Sequence, residues 1–309
     1  MSTSRDRAIV VSALKHAAPY IRLFKGKVFV LKVGGEVFAD AEHTRAFIEQ
    51  VGLLHQVGIR VVLIHGGGPQ STELASALGI STTFVDGRRV TDDASLDVAT
   101  MVLNGQINTR ILAVCRDLQV PAVGISGVDA GLIQAHRRPP VDRGDDEPVD
   151  YGFVGDIDGV NADILKKQLD NGLMPVVSPL SCDETGTLLN INADTVAAAI
   201  AAELDAEKLI LATGAAGVLE DVNDPQSLIS YIDRADLERL KSEGKLADGM
   251  LPKAAAIDNA LANGVKRVHV ISYKLPDSLL LEVFTNEGNG TLVVNDIAAL
   301  SAAEQGDTA

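Results

Sequence analysis

A chain of 309 residues with 46% hydrophobic and 22% charged side chains can bury a sizeable core, as one large domain or two modest ones, and its composition excludes a disordered chain. Its 27 lysines and arginines stand against 42 aspartates and glutamates, a formal charge of −15 that repels nucleic-acid backbones and anionic bilayers and argues against both as main partners. Any anionic ligand must therefore meet positive charge gathered locally.

Residues 1–26 read as an added helix, because Ile9, Val10, Ala13, Leu14, Ala17 and Ile21 recur at three- and four-residue steps. Its apolar face can dock on its own subunit or on another one. The same stretch lacks the apolar core and cleavage pattern of a signal peptide, and no run approaches the roughly 18–20 apolar residues of a membrane span. The expected location is the cytoplasm.

From residue 27 onward, short Val/Ile/Leu-rich runs alternate with helical periods. Strands are expected at 27–33, 60–65, 121–125, 174–180, 207–213 and 266–271. Helices are expected at about 42–57, 69–79, 92–118, 161–171, 194–204, 233–243 and 251–263. Continuous apolar strands separated by helices predict an α/β chain, a three-layer α/β/α sandwich with a largely parallel, open central sheet. The helix at 161–171 is expected to start at Asn161 and stop at Asn171-Gly172. Segment 137–159 is Pro-rich and charged and then alternating, which suits a hairpin excursion over the surface, with Asp145, Asp146 and Glu147 as its solvated tip. Residues 298–309 read as a tail. Two cysteines, Cys115 and Cys182, are too few for a disulfide framework or a four-thiolate metal site, and Cys115 in its apolar helix reads as core.

Three Gly-rich turns follow expected strands: VLKVGGE (30–36), LIHGGGP (63–69) and LATGAAGVLED (211–221). Glycine lets a ligand approach the backbone, helix N-termini favour anions, and open sheets bind ligands beyond the carboxyl ends of their strands. The chain has no GxxxxGK[ST] phosphate loop, no dinucleotide GxGxxG after a first strand, no HExxH and no GxSxG. His65, ahead of the glycines, reads as a structural strand-end residue rather than a base. The polar residues left near strand ends are Lys32, Arg88, Arg89, Asn190, Asn192, Asp194 and Lys253. Asp194 can cap the following helix, and Asn190 and Asn192 can shape a turn.

VLKVGGE, HGGGP, GRRVTD, LLNINAD, AEKLILAT and DGMLPKA follow one another as in the amino-acid kinase family, which the chain resembles from about residue 8 to residue 295. GRRVTD and NINAD look like the acylglutamate branch rather than the aspartate or uridylate branches. The resemblance implies an acyl-amino-acid-binding lobe over 27–195 and a nucleotide-binding lobe over 196–297. The implied reaction, a step of arginine biosynthesis, moves a phosphoryl group from MgATP to the γ-carboxylate of N-acetyl-L-glutamate. Such a carboxylate, with a reference pKa of about 4.3, is ionised at neutral pH and needs no general base, so the obstacle is repulsion between anions.

By the same resemblance, Lys32 and Lys253 flank the transferring group and Asp194 fixes their ammonium groups. Gly67 and Gly68 would meet the substrate through amides, Arg89 its α-carboxylate and Asn190 its acetamido group. Gly34, Gly35, Thr213, Gly214 and Gly217 would serve the nucleotide, with Mg²⁺ riding on its phosphates and no metal site made by protein alone. Gly214 stands where the family usually has Asp, position 36 is Glu, and SGVDAGL (126–132) departs from the usual Lys-Asp-Gly form. Tyr20 and segment 269–291 resemble arginine-sensitive members. That likeness implies L-arginine as an inhibitor touching Lys208, His269, Glu282 and Gly288, and a homodimer or a homohexamer linked through the N-terminal helix. Two rival readings are a kinase for a carrier-linked aminoadipate, which GRRVTD disfavours, and a non-catalytic arginine-sensing kinase-like domain. Retention of Lys32, Lys253 and Asp194 disfavours the latter.

Overall fold

Val28–Val33 (β1) and Arg60–His65 (β2), VFVLKV and RVVLIH, are buried along nearly their whole length, as strands covered by helices on both faces must be. The computed structural model describes residues 4–300 other than 86, 143, 145, 146, 222, 225, 247 and 287. The other strands described are Phe84–Val85 (β3), Arg88–Arg89 (β4), Ala122–Ser126 (β5), Ile133–Arg137 (β6), Gly155–Val160 (β7), Met174–Ser178 (β8), Leu180–Cys182 (β9), Leu188–Asn190 (β10), Lys208–Thr213 (β11), Tyr231–Asp233 (β12), Val268–Ser272 (β13) and Thr291–Val294 (β14). The α-helices are Ser4–Phe24 (α1), Ala41–Gln56 (α2), Gly68–Ala77 (α3), Asp93–Thr100 (α4), Thr109–Asp117 (α5), Asp163–Asp170 (α6), Ala193–Glu203 (α7), Arg234–Ser242 (α8), Leu251–Ala262 (α9) and Ser278–Phe284 (α10).

Eight strands form one sheet in the order β12-β14-β13-β11-β1-β2-β8-β5. The ladder is parallel from β13 to β5; β14 turns antiparallel to β13, and β12 runs with β14. Alternation along β1 sends Val30 into a core with α7 and α9, built on Val196, Ile200, Ile257 and Leu261. Phe29, Leu31 and Val33 face the opposite core with Phe47, Ile48, Val51 and Leu54 of α2. Lys32 is on the Val30 face, and that parity brings its ammonium to α7.

All six expected strands are present, within two residues at each end except that 174–180 divides into β8 and β9. The expected helix at 92–118 is continuous but changes winding, with a π-helical stretch over Met101–Asn108 between α4 and α5. The helix expected at 161–171 starts later: Ala162 is its N-cap, without a side-chain cap bond, and Asn161 lies outside it. The hairpin excursion forms from β6 and β7, with a bridge between Val141 and Val149 farther out. Asp145 and Asp146 of its expected acidic tip lie outside the described residues, as do 301–309 of the expected tail. The excursion is not confined to the surface. Phe153 N donates to Thr91 O at 2.7 Å and Asn190 N to Phe153 O at 2.8 Å, so its return arm is tied to the polar turns of the sheet.

Position 195/196, expected to divide the lobes, falls in the first turn of α7, which packs on β1, β2, β7, β11 and α9. At the N-terminus, α1 seats Phe24 edge-on against Phe29 with ring centroids 5.2 Å apart. It leaves Ile9, Val10, Val11 and Leu14 more than half exposed. No helix among the described residues is long and apolar enough to cross a membrane.

Candidate active site

The carboxyl ends of β1, β2 and β11 open onto a cleft of about 410 Å³. Lys32, next to last in β1, is 6% exposed, and its Nζ lies 2.9 Å from Asp194 Oδ1. Lys253 approaches the other carboxylate oxygen, Oδ2, at 3.8 Å from the first turn of α9. One buried carboxylate therefore stands between two ammonium groups. Burial pulls the Lys253 ammonium below its ordinary range; Asp194 opposes that, Lys32 adds to it, and Glu36 opposes it again.

Local sequence explains why Asp194 is available for this. Asn192 is the N-cap of α7, its Oδ1 accepting from Asp194 N at 2.8 Å and Thr195 N at 3.2 Å. The cap expected of Asp194 is taken by its neighbour, and the Asp194 carboxylate is left to the lysines. The helix N-terminus adds partial positive charge beneath that carboxylate.

Two glycine turns form the floor. A Cβ on Gly35 would come within 2.8 Å of Gly67 Cα, so the turns after β1 and β2 approach more closely than side chains allow. Gln70 clamps them, its Nε2 donating to Gly35 O at 2.5 Å. Gly68 opens α3 with Pro69 next; Pro has no N–H, so the exposed amides at this end belong to the glycines. Farther along the cleft, Arg89 donates to Thr72 Oγ1 at 2.8 Å and Gly68 O at 3.2 Å, with its guanidinium 4.9 Å from the Phe84 ring centroid. Asn190 Nδ2 donates to Thr91 Oγ1 at 3.3 Å.

Lys32, Gly34, Gly35, Gly67, Gly68, Arg89, Asn190, Asp194, Thr213, Gly214 and Lys253 thus line one cleft. Thr213 turns its hydroxyl into its own loop, bonding Ala215 N at 3.1 Å. The Cβ direction of Gly214 faces Lys274 Nζ at 3.6 Å. Gly217 is not in the lining; a Cβ there would meet Thr291 Oγ1 at 2.5 Å and Leu228 Cδ1 at 2.7 Å, so this glycine serves close packing against β14. The lining also holds Arg88, and Arg138 and Tyr151, which sequence reasoning missed. The last two come from the hairpin excursion, where only the long-range ties to Thr91 and Asn190 reveal a cleft wall. Arg138 is held by Asp156, with Nε to Oδ1 at 3.0 Å and Nη2 to Oδ1 at 2.6 Å. Lys32, Arg88, Arg89, Arg138 and Lys253 face Asp194 and Glu36, so the lining is net positive on a chain of −15.

A second polar cluster lies between α1 and α10. Lys208 Nζ is 3.1 Å from His269 Nε2, His269 Nδ1 is 2.6 Å from Glu282 Oε1, and Asn289 N donates to Glu282 Oε2 at 2.8 Å. Burial, helped by Lys208, pulls the His269 imidazole down to about 4. Burial alone would raise the Glu282 carboxyl, but His269, the Asn289 amide and Lys208 prevail and hold it at about 2. Gly288 backs onto this carboxylate, a Cβ there falling 2.8 Å from Oε2, and Tyr20 OH donates to Asn286. Tyr20, Lys208, His269, Glu282 and Gly288 therefore gather in one region, and none of them lines the cleft.

Glycine turns with lysines fixed by a carboxylate, at the carboxyl ends of parallel strands, are an arrangement suited to binding and transferring phosphoryl groups. Residues 27–272 match the amino acid kinase family, and the chain belongs to it. An acetylglutamate kinase of Myxococcus xanthus is 47% identical over 300 residues, covering 96% of this chain and 97% of the relative. One from Methanocaldococcus jannaschii is 41% identical over 286 residues, 92% and 95% of the two chains. Among solved structures, an N-acetylglutamate synthase from Neisseria gonorrhoeae complexed with coenzyme A and L-arginine superposes with a TM-score of 0.80 at 28% identity. That likeness covers 93% of this chain and 65% of the synthase, so the chain spans just under two thirds of that protein.

Proposed function

We propose that this chain transfers the γ-phosphoryl group of ATP to the γ-carboxylate of N-acetyl-L-glutamate, giving N-acetyl-L-glutamyl 5-phosphate in arginine biosynthesis. The observation that carries the reading is the Lys32–Asp194–Lys253 trio at the glycine turns, in a chain 47% identical over nearly its whole length to an acetylglutamate kinase. A carboxylate oxygen attacks the γ-phosphorus, the bond to the β–γ bridging oxygen breaks, and ADP leaves with that electron pair. No proton moves, so no base is required. Lys32 and Lys253 face the charge that grows on the transferring group, and Asp194 keeps both ammonium groups from swinging away. The amides of Gly67 and Gly68 receive acceptor oxygens, Arg89 grips the α-carboxylate and Asn190 the acetamido group. The glycine turns and the two lysines suit a polyphosphate, with Gly34, Gly35 and the Thr213–Gly214 turn on the nucleotide side. Mg²⁺ carried by ATP supplies charge neutralisation at the phosphates. In this reading 27–195 holds the acyl amino acid and 196–297 the nucleotide, in the cytoplasm.

The test is ATP-dependent acyl-hydroxamate formation with N-acetyl-L-glutamate beside N-acetyl-aminoadipate. Turnover favouring the glutamate derivative supports the reading; no product with either, or preference for the longer acid, overturns it. In the same assay Arg89→Ala is expected to raise KM for the acceptor by about tenfold or more with little change in kcat, because a carboxylate grip is shared by ground and transition states. An unchanged KM removes Arg89 from that role.

Regulation by L-arginine at the second cluster belongs to the same reading. It is supported by the arginine complex of the similar synthase, and by Asn289 Oδ1 and Ser278 Oγ, buried near Glu282 without hydrogen-bond partners among the described residues. Such acceptors and a carboxylate suit a guanidinium. The exposed apolar face of α1 is then the link that joins dimers into a hexamer. L-arginine is expected to move the acceptor saturation curve to higher concentration, and Glu282→Gln to abolish the shift. An arginine-insensitive curve from an active enzyme rejects this.

A further inference from the structure

We infer that His65 is a positioning residue: braced by Asn108, its imidazole fixes the Gly66–Gly67 peptide so that the Gly67 amide points into the cleft. The inference rests on the reading that this amide meets an anionic substrate.

The hydrogen-bond chain starts from a group whose role is unambiguous. The Val176 carbonyl can only accept, so the Asn108 atom 2.9 Å from it is the amide nitrogen Nδ2. That same nitrogen lies 3.2 Å from His65 Nε2 and can only donate to it. Nε2 is therefore the unprotonated ring nitrogen, and the proton sits on Nδ1, which donates to Gly66 O at 3.2 Å. His65 is completely buried, and burial pulls its pKa down to about 4, so the neutral tautomer this chain requires is the one present at neutral pH.

The consequence lies in the next peptide bond. Gly66 N donates to Val33 O at 2.9 Å, and its carbonyl is held by His65, so both polar groups of Gly66 are tied to the protein. No cis peptide occurs among the described residues, and across a trans peptide the N–H points opposite to the C=O. Holding Gly66 O against the imidazole aims the Gly67 N–H away from it. Gly67 Cα is pressed on its other side: a Cβ there would fall 2.7 Å from both Leu103 Cδ2 and Ile107 Cδ1. Leu103, Ile107 and Asn108 all belong to the π-helical stretch Met101–Asn108. That wider winding, a feature frequent at functional sites, presents the two apolar walls and the Asn108 amide to the same glycine turn.

Two substitutions separate positioning from space filling. Asn at position 65 places an amide nitrogen at the reach of Nδ1 and keeps the donor to Gly66 O. Gln fills the ring volume better but places its amide at the reach of Nε2. His65→Asn is expected to keep kcat within about fivefold and His65→Gln to lose about a hundredfold, the scale of losing one aimed donor, with KM for ATP little changed in both. Thermal unfolding of both variants shows whether each is folded. Equal losses, or Gln outperforming Asn, overturn the inference, because a structural filler ranks them the other way. Long-range ¹H–¹⁵N spectra of the histidine-labelled wild-type chain, assigned by loss of the signal in His65→Gln, give a readout that needs no activity. The expected result is a ring protonated at Nδ1 that does not titrate between about pH 5.5 and 8.5; an Nε2–H tautomer, or titration near the ordinary histidine value, overturns it. A chain that shows the Nδ1–H tautomer yet makes no acyl phosphate rejects the reaction and leaves the His65 brace standing.

Discussion

Asp194→Ala is expected to lose at least about a thousandfold in kcat and about 2–3 kcal/mol of stability together. The second figure follows from Lys32, 6% exposed with its ammonium 2.9 Å from the carboxylate that would be removed. Breaking a buried pair by deleting one partner costs about 3–5 kcal/mol; Lys32 lines the cleft, so water reaches the released charge and the cost falls toward or just below that range. The kinetic loss is expected because two ammonium groups without the carboxylate between them repel each other and abandon the geometry in which, by the proposal, both face the transferring group. Asp194→Asn separates the two effects. Its amide fits the same space at the start of α7 and recovers much of the stability, but it carries no charge and leaves kcat depressed. Urea unfolding and steady-state kinetics on both variants provide the comparison, and an Asn variant within tenfold of wild type would sink the electrostatic role of Asp194.

Lys253→Ala is expected to lower kcat by about 10²–10³ while leaving KM for N-acetyl-L-glutamate within a few-fold, the pattern of an interaction made chiefly in the transition state. A pH profile adds a sign. In the proposed role the protonated ammonium is the working form, present below its pKa and lost as pH rises through it. Burial, only partly offset by Asp194 and Glu36, sets that pKa below the 10.5 of a free lysine, so the alkaline fall in kcat begins earlier than an exposed lysine would give. Lys253→Arg remains charged throughout and should lose this alkaline limb while retaining some activity. A limb that persists in Lys253→Arg belongs to a different group.

Much of the sheet was readable because VFVLKV, RVVLIH and KLILAT are apolar on both faces, a pattern that only doubly covered strands require. The short elements β12, β14 and α10 were not, since three to seven residues give too little periodicity against their surroundings. The π winding at Met101–Asn108 was hidden for another reason: it shifts which side chains face inward without altering the apolar content that marks a helix. In the cleft, residues on glycine turns and strand ends were legible from chemistry and position, and Lys32, Asp194 and Lys253 meet there. Arg138 and Tyr151 were not, because they reach the cleft through a chain reversal whose anchoring bonds link residues 62 and 37 positions apart, Thr91 to Phe153 and Phe153 to Asn190. Gly217 shows the converse: a glycine in a phosphate-like motif whose missing side chain makes room for Thr291.

The halves of the sheet meet along the β1–β11 ladder, where Phe29 through Val33 pair with Lys208 through Ala212. The two halves are joined here by paired strands rather than by a flexible linker. Lys32 stands on one rail of this seam, and Lys253 belongs to a helix packed against the far half. Hinging the halves apart at this seam would strip backbone hydrogen bonds from the middle of the molecule, whereas twist along the ladder leaves the paired register intact. Proteolytic nicking at a turn above the sheet should therefore leave two fragments that stay associated and co-purify.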